Sequence, residues 1–245
     1  MQSNRLICFG LMAVGLLTAC KKTSVQELGF DATGTYTMST VPSAGPVRMF
    51  TQAGEVQNAS LVRAFSIRHY GILLYSPGVV SPFQTAELVF TSTSEASLNT
   101  TALMNGSGLS RSSVAVDVTS QTNANLLLTS KMSGSSLFMP VNPDRCINIL
   151  RDIRGFPPVY TCTALPPSSG SNTRCDYKPV YVLKLKGKDA SLAAMSFIFV
   201  ASANGQSCTL GWRNEFNVLN PTLPRRLTAG DTLVVQEAEF PLVRK

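Results

Sequence analysis

The sequence predicts an all-β fold, an antiparallel β-sandwich or barrel, from three observations. Charged residues make up only 14% of the chain, so Ser, Thr, Asn and Gly supply much of the polarity. That composition suits strands and turns better than helices. Short apolar or alternating stretches recur along the chain, punctuated by Gly and Pro, the spacing expected of many short strands. A convincing helical pattern occurs once, near residues 58–69.

Taken in order, Thr33–Thr40 alternates Tyr36 and Met38 with threonines and reads as a first strand. Pro42, Gly45 and Pro46 turn the chain into a short strand at Val47–Gln52, which Ala53-Gly54-Glu55 ends. Asn58 is a good N-cap for the helix. Leu61, Val62 and Phe65 define its expected buried face, and Arg68 and His69 place positive charge at its C-terminus. Gly71 stops it.

Ile72–Tyr75 and Ala86–Thr91 read as strands, and Asn105-Gly106-Ser107-Gly108 as a turn. Ser113–Thr119 has the cleanest alternation, with Val114, Val116 and Val118 on one face and Ala115 and Asp117 on the other. Leu126–Met132 follows. The second half offers Cys146–Ile153, Val159–Ala164, Pro179–Lys186, Ala194–Ala203, Cys208–Arg213 and Thr232–Phe240, with no second helix.

The start of the chain has a different character. Leu6–Thr18 is an apolar run behind Arg5, too short for a membrane-spanning helix, which needs roughly 20 residues. It has the length of a signal-peptide core. The run closes on Leu17-Thr18-Ala19-Cys20, which resembles the lipobox of bacterial lipoproteins. The resemblance implies that signal peptidase II cleaves before Cys20 and that Cys20 carries acyl chains, palmitate among them. It also implies a place in the cell envelope. Lys21 is not the aspartate associated with inner-membrane retention, so the outer membrane is the expected site.

The organisation expected is therefore a signal peptide at 1–19, a tether at 20–29 and one β-rich domain at 30–245. The alternative places a boundary at 140–143, between Pro140 and Pro143. Domains of 200–250 residues are routine among all-β folds. Gly34-Thr35-Tyr36, followed by many strands and one helix, also resembles lipocalins, which implies a barrel holding a small apolar ligand. Lipocalins carry Gly-x-Trp at that place and set their main helix late. Here the aromatic is Tyr and the helix comes early.

Cys8 leaves with the signal peptide and Cys20 takes lipid. Cys146, Cys162, Cys175 and Cys208 remain. An even number in an exported chain predicts two disulfides with three connectivities, and the preferred pairing is Cys162–Cys175 with Cys146–Cys208. A zinc site is the lesser reading, because no C-x-x-C pair exists.

Chemistry-bearing motifs are sparse. There is no G-x-S-x-G elbow, S-x-x-K, H-E-x-x-H, EF-hand spacing or P-loop, and Gly187-Lys188 is followed by Asp189. His69, the only histidine, sits at a helix end and reads as a cap. Glu237 and Glu239 share one face of a strand and read as a solvated pair. No catalytic residue, metal or cofactor is assigned, and the chain is expected not to be an enzyme.

Candidate binding residues are Lys184, Lys186 and Lys188, which alternate along a strand, and Trp212 with Arg213. The lysines read either as edge protection or as a basic ridge toward anionic lipid or glycan. An exposed Trp212 would stack on sugar. The expectation is thus a lipid-anchored, non-enzymatic domain that binds or builds envelope structure through a protein, a glycan or anionic lipid. The lipocalin-like carrier is the alternative. Nucleic acid is excluded by the compartment and by basic charge that is not interleaved with aromatics.

Overall fold

The computed structural model describes residues 30–70, 83–104, 108–133, 135–139, 145–166, 173–203 and 206–245. Cys20 and its signal segment, the 20–29 tether, Ile72–Tyr75, residues 105–107 and the 140–143 junction lie outside the described residues.

The first half holds β1 (Gly34–Met38), β2 (Ser43–Ala44), β3 (Arg48–Thr51), β4 (Gly54–Glu55), α1 (Ala59–Tyr70), β5 (Phe83–Phe90), β6 (Glu95–Met104), β7 (Gly108–Gln121), β8 (Asn125–Ser130) and β9 (Ser135–Met139). The second holds α2 (Arg145–Asp152), β10 (Val159–Ala164), β11 (Thr173–Lys178), β12 (Val180–Lys186), β13 (Asp189–Ala203), β14 (Gln206–Glu215) and β15 (Thr232–Arg244). A 3-10 turn at Leu223–Arg226 precedes β15.

The fold is all-β, and its centre is an eight-stranded antiparallel barrel. β1, β5, β6, β7, β8 and β12 pair in that order, β12 pairs the start of β13, and the end of β15 pairs β1. The β13–β15 ladder closes the circle. Inward side chains alternate with outward ones along each strand, as the pleat requires. Tyr36, Met38, Leu88, Phe90, Leu98, Val116, Leu126, Leu128, Leu183, Leu192 and Phe240 fill the interior and pack against one another. Each such side chain contributes about 1.5–3 kcal/mol when fully buried.

β13 and β15 are too long to end at the barrel. Past it, β13 pairs β14 on one side while β15 pairs β3 and β2, extending the sheet as β14-β13-β15-β3-β4. Side-chain parity carries through. Ala190, Leu192 and Ala194 face the barrel interior, and Ile198, two turns of the pleat further on, faces Phe65 of α1 together with Val234 and Ala238. The opposite face of these strands, Met195, Phe197, Phe199, Leu233 and Val235, packs under Cys146, Ile149 and Ile153 of the α2 segment and under Leu219, Leu223 and Leu227. β9, β11 and β10 form a separate three-stranded sheet. β8 and β12, from either side of residues 140–143, are neighbours in the barrel.

Two disulfides form, Cys146–Cys208 and Cys162–Cys175, the pairing preferred from the sequence. The first ties α2 to β14; the second joins directly opposed residues of β10 and β11.

Three expectations are corrected. Cys146–Ile153 is not a strand: Arg145–Asp152 is α2. Its isoleucines favour a strand locally, but Cys146, Ile149 and Ile153 fall at helical spacing and bury against the sheet, and tertiary packing overrides propensity. Leu61 is not on the buried face of α1; it is 57% exposed, and the buried positions are Val62 and Ser66. Glu95–Met104, Ser135–Met139 and Thr173–Lys178 are strands that local pattern did not reveal: Ser97, Asn99 and Thr101 face out along the first, the second is short and opens on two serines, and Arg174, Asp176 and Lys178 break the apolar pattern of the third. Conversely, Asn58 caps α1 as expected, its Oδ1 accepting from the amides of Ser60 (3.0 Å) and Leu61 (3.1 Å).

Candidate functional site

The lysine ridge does not stand as three free cations. β12 and β13 place Lys184 opposite Ser191 and Lys186 opposite Asp189, and β15 brings Glu239 beside them. Lys184 Nζ donates to Glu239 Oε1 at 3.0 Å, Ser191 Oγ donates to Oε2 at 2.9 Å, and Lys186 Nζ lies 3.6 Å from Oε2. Burial pushes the Glu239 carboxyl up, but the bonds from Lys184 and Ser191 outweigh it and hold the group below the usual glutamate range. Lys188 projects from the two-residue hairpin turn with Gly187, whose φ of 64° needs a glycine.

Trp212 is 41% exposed and pairs with Phe197 on the extended part of β13. Phe197 lies six positions along β13 from Ser191, roughly 20 Å of strand. The lysines and Trp212, with Arg213 beside it on β14, are therefore two separate places. Glu237 is also engaged: its Oε1 accepts from the Leu219 amide at 3.2 Å. The His69 ring lies 4.3 Å from that of Phe65.

Two buried polar nodes fix the extension. Arg154, 5% exposed, makes a two-pronged ion pair with Glu215 (2.9 and 3.0 Å) and donates to the Leu150 carbonyl. Asp231, also buried, receives Arg145 and both the amide and hydroxyl of Thr228 on one oxygen. Burial raises the Asp231 carboxyl, but those donors prevail and hold it below the ordinary aspartate value. Asn217 accepts from the Phe156 amide and donates to the carbonyls of Phe156 and Val180. These contacts are internal and serve packing.

The outer wall of the barrel offers something different, a groove of about 540 Å³ across β1, β5, β6 and β7. The registers align its side chains in two cross-strand rows. One row is Thr37, Glu87, Asn99 and Ser113; the next is Thr85, Thr101 and Arg111. Lys245 leans in from beyond β15 and donates to Glu87 Oε1 at 2.6 Å, and Ser113 Oγ donates to Asn99 Oδ1 at 2.7 Å. Among the described residues Arg111 has no carboxylate partner. The Thr37 hydroxyl at the floor is buried with no hydrogen-bond partner.

Sequence reasoning passed over this groove. Its signal is the run of hydroxyl and amide residues at outward positions, but the rows exist only once four strands are in register.

No family model, curated protein or solved structure matches the chain.

Proposed function

We propose that this chain is a lipid-anchored protein of the bacterial cell envelope whose β-rich body is a non-enzymatic binding domain. The observation that carries the reading is Leu17-Thr18-Ala19-Cys20 behind a short apolar run. Three acyl chains on Cys20 would hold the chain durably, since each buried methylene contributes about 0.8 kcal/mol and a single chain is marginal. The outer membrane is the expected location because of Lys21.

In the structure Glu239 is tied to Lys184 and Ser191, Glu237 to the backbone, and His69 stacks on Phe65, while the hydroxyl and amide rows on the barrel wall supply a surface that supports a binding role. A lipocalin-like carrier is the second reading, favoured by the eight-stranded barrel. The apolar side chains that pack the barrel interior favour the first.

The test is metabolic labelling with an alkyne-tagged palmitate, followed by membrane fractionation. Wild type should label and sediment with outer membranes. Cys20→Ser should lose the label and either appear in the soluble fraction or accumulate unprocessed. A wild-type protein that is unlabelled and soluble sinks the proposal.

A further inference from the structure

We infer that the groove on the barrel wall is a binding site for a saccharide carrying a carboxylate, such as a uronic-acid oligomer. This deepens the binding-domain reading and rests on it.

The chemistry of the groove narrows the ligand. Its outward side chains are hydroxyls, an amide, one ion pair and one unpaired guanidinium: Thr85, Thr101, Asn99, Ser113, Glu87–Lys245 and Arg111. Neither row carries an apolar side chain, although Leu109, 60% exposed, follows on the face of Arg111, so a ligand lying along the rows meets mainly polar groups and an aliphatic one is disfavoured. No aromatic ring lies in the rows, so a nucleobase has nothing to stack on.

What remains is a polyol. Its hydroxyls both donate and accept, and they match a bed in which donors (Lys245, the Asn99 amide) and acceptors (Glu87, the Asn99 carbonyl) alternate across neighbouring strands 4.7–4.9 Å apart, a spacing general to sheets. The two rows give the bed length along a chain of sugars rather than a single deep socket, and a volume of about 540 Å³ falls within the usual range for ligand sites.

The charge of the groove narrows it further. Glu87 and Lys245 cancel, which leaves Arg111 as the one described cation of the groove without a carboxylate partner. A guanidinium presents a planar fork that fits a carboxylate in two-pronged geometry. A phosphate, with nearly two charges, would need more than one free cation and would meet Glu87. A singly charged carboxylate on a sugar ring meets both demands, with its carboxylate at Arg111 and its hydroxyls along Asn99, Ser113 and Glu87.

The experiment is isothermal titration of the purified full-length protein in detergent with three probes: a tetramer of galacturonic acid, a neutral tetramer of glucose and a tetra-aspartate peptide. The acidic tetrasaccharide should bind, with the neutral one and the peptide each weaker by about tenfold or more, because each lacks one half of the match. Arg111→Ala should weaken the acidic tetrasaccharide by about tenfold, and Asn99→Ala with Ser113→Ala by a similar factor. Arg225→Ala, which removes an exposed cation of the 3-10 turn outside the groove, should leave it unchanged. Arg111 is exposed, so its variant should melt as wild type does, and a melting curve confirms that the folded state is compared.

The inference is overturned if the acidic tetrasaccharide fails to bind, or if Arg111→Ala binds it as well as wild type does. It is equally overturned if Arg225→Ala weakens binding as much as Arg111→Ala, since attraction would then be general, or if the peptide binds best. Palmitate labelling of Cys20 reads the anchor independently, so loss of either result leaves the other standing.

Discussion

The barrel and the extension beyond it are built from the same two long strands, yet they are held by different means. In the barrel, alternating apolar residues from eight strands meet in one interior with no charged side chain in the buried cluster. In the extension the sheet is covered on each face by a short helix, and fasteners supplement the packing: Cys146–Cys208, the Arg154–Glu215 pair and Asp231 with Arg145. The lesson is one of geometry. A closed sheet surrounds its core and shields it from every side, whereas an open sheet roofed by an eight-residue helix does not, because a helix that short is marginal without outside support.

The sharpest way to break the comparison is to remove the staple. Replacing Cys146 and Cys208 with serine opens a loop with a sequence separation of 62 and should cost about 4 kcal/mol by the chain-entropy estimate. The loss should fall on the extension. The only tryptophan, Trp212, lies there on β14. In urea its fluorescence should change before the far-ultraviolet signal dominated by the barrel. Coincident transitions would mean that the two regions unfold as one and that the contrast is only chemical.

A smaller effect separates the polar nodes. Asp231→Asn should destabilise by about 2 kcal/mol near neutral pH by weakening charge-assisted bonds to Arg145. The sign of its pH dependence follows from the lowered carboxyl. Its contribution is complete above the unfolded value of about 3.9 and is lost as pH falls through the lower folded value. Wild-type stability should therefore drop more steeply below about pH 4 than that of the variant, measured by urea unfolding across that range. Equal slopes would show that Asp231 is not the titrating fastener.

The smallest effect expected is at α1. Asn58→Ala removes the cap of a helix that covers only one face of the extension, and it should cost about 1 kcal/mol in the same unfolding measurement. A loss several times larger would mean that α1 is as necessary to the extension as α2.

The same contrast governs what the amino-acid sequence revealed. Barrel strands were readable where alternation was strong: Val116 is fully buried and Val114 and Val118 pack against the interior, while Ala115 faces out. α2 was misread because Ile147, Ile149 and Ile153 look like a strand, and only the sheet beneath them selects the helical face. The cysteine pairing was reachable from spacing and turn chemistry. The fate of Lys184 was not, because Glu239 lies 55 positions away and meets it through two intervening pairings. The groove is further still from local pattern. It requires Thr37, Glu87, Asn99 and Ser113 to fall in one row, a property of register between strands rather than of any one of them.

The placement of β1 has a mechanical side. Residues 30–33, with Phe30 buried in the barrel core, lead into β1, which runs between β5 and β15, antiparallel to both. A pull on the chain directed along β1 would load both ladders in shear at once instead of peeling them rung by rung. Were Cys20 anchored as proposed, tension would reach the body at β1, loaded against two ladders at once.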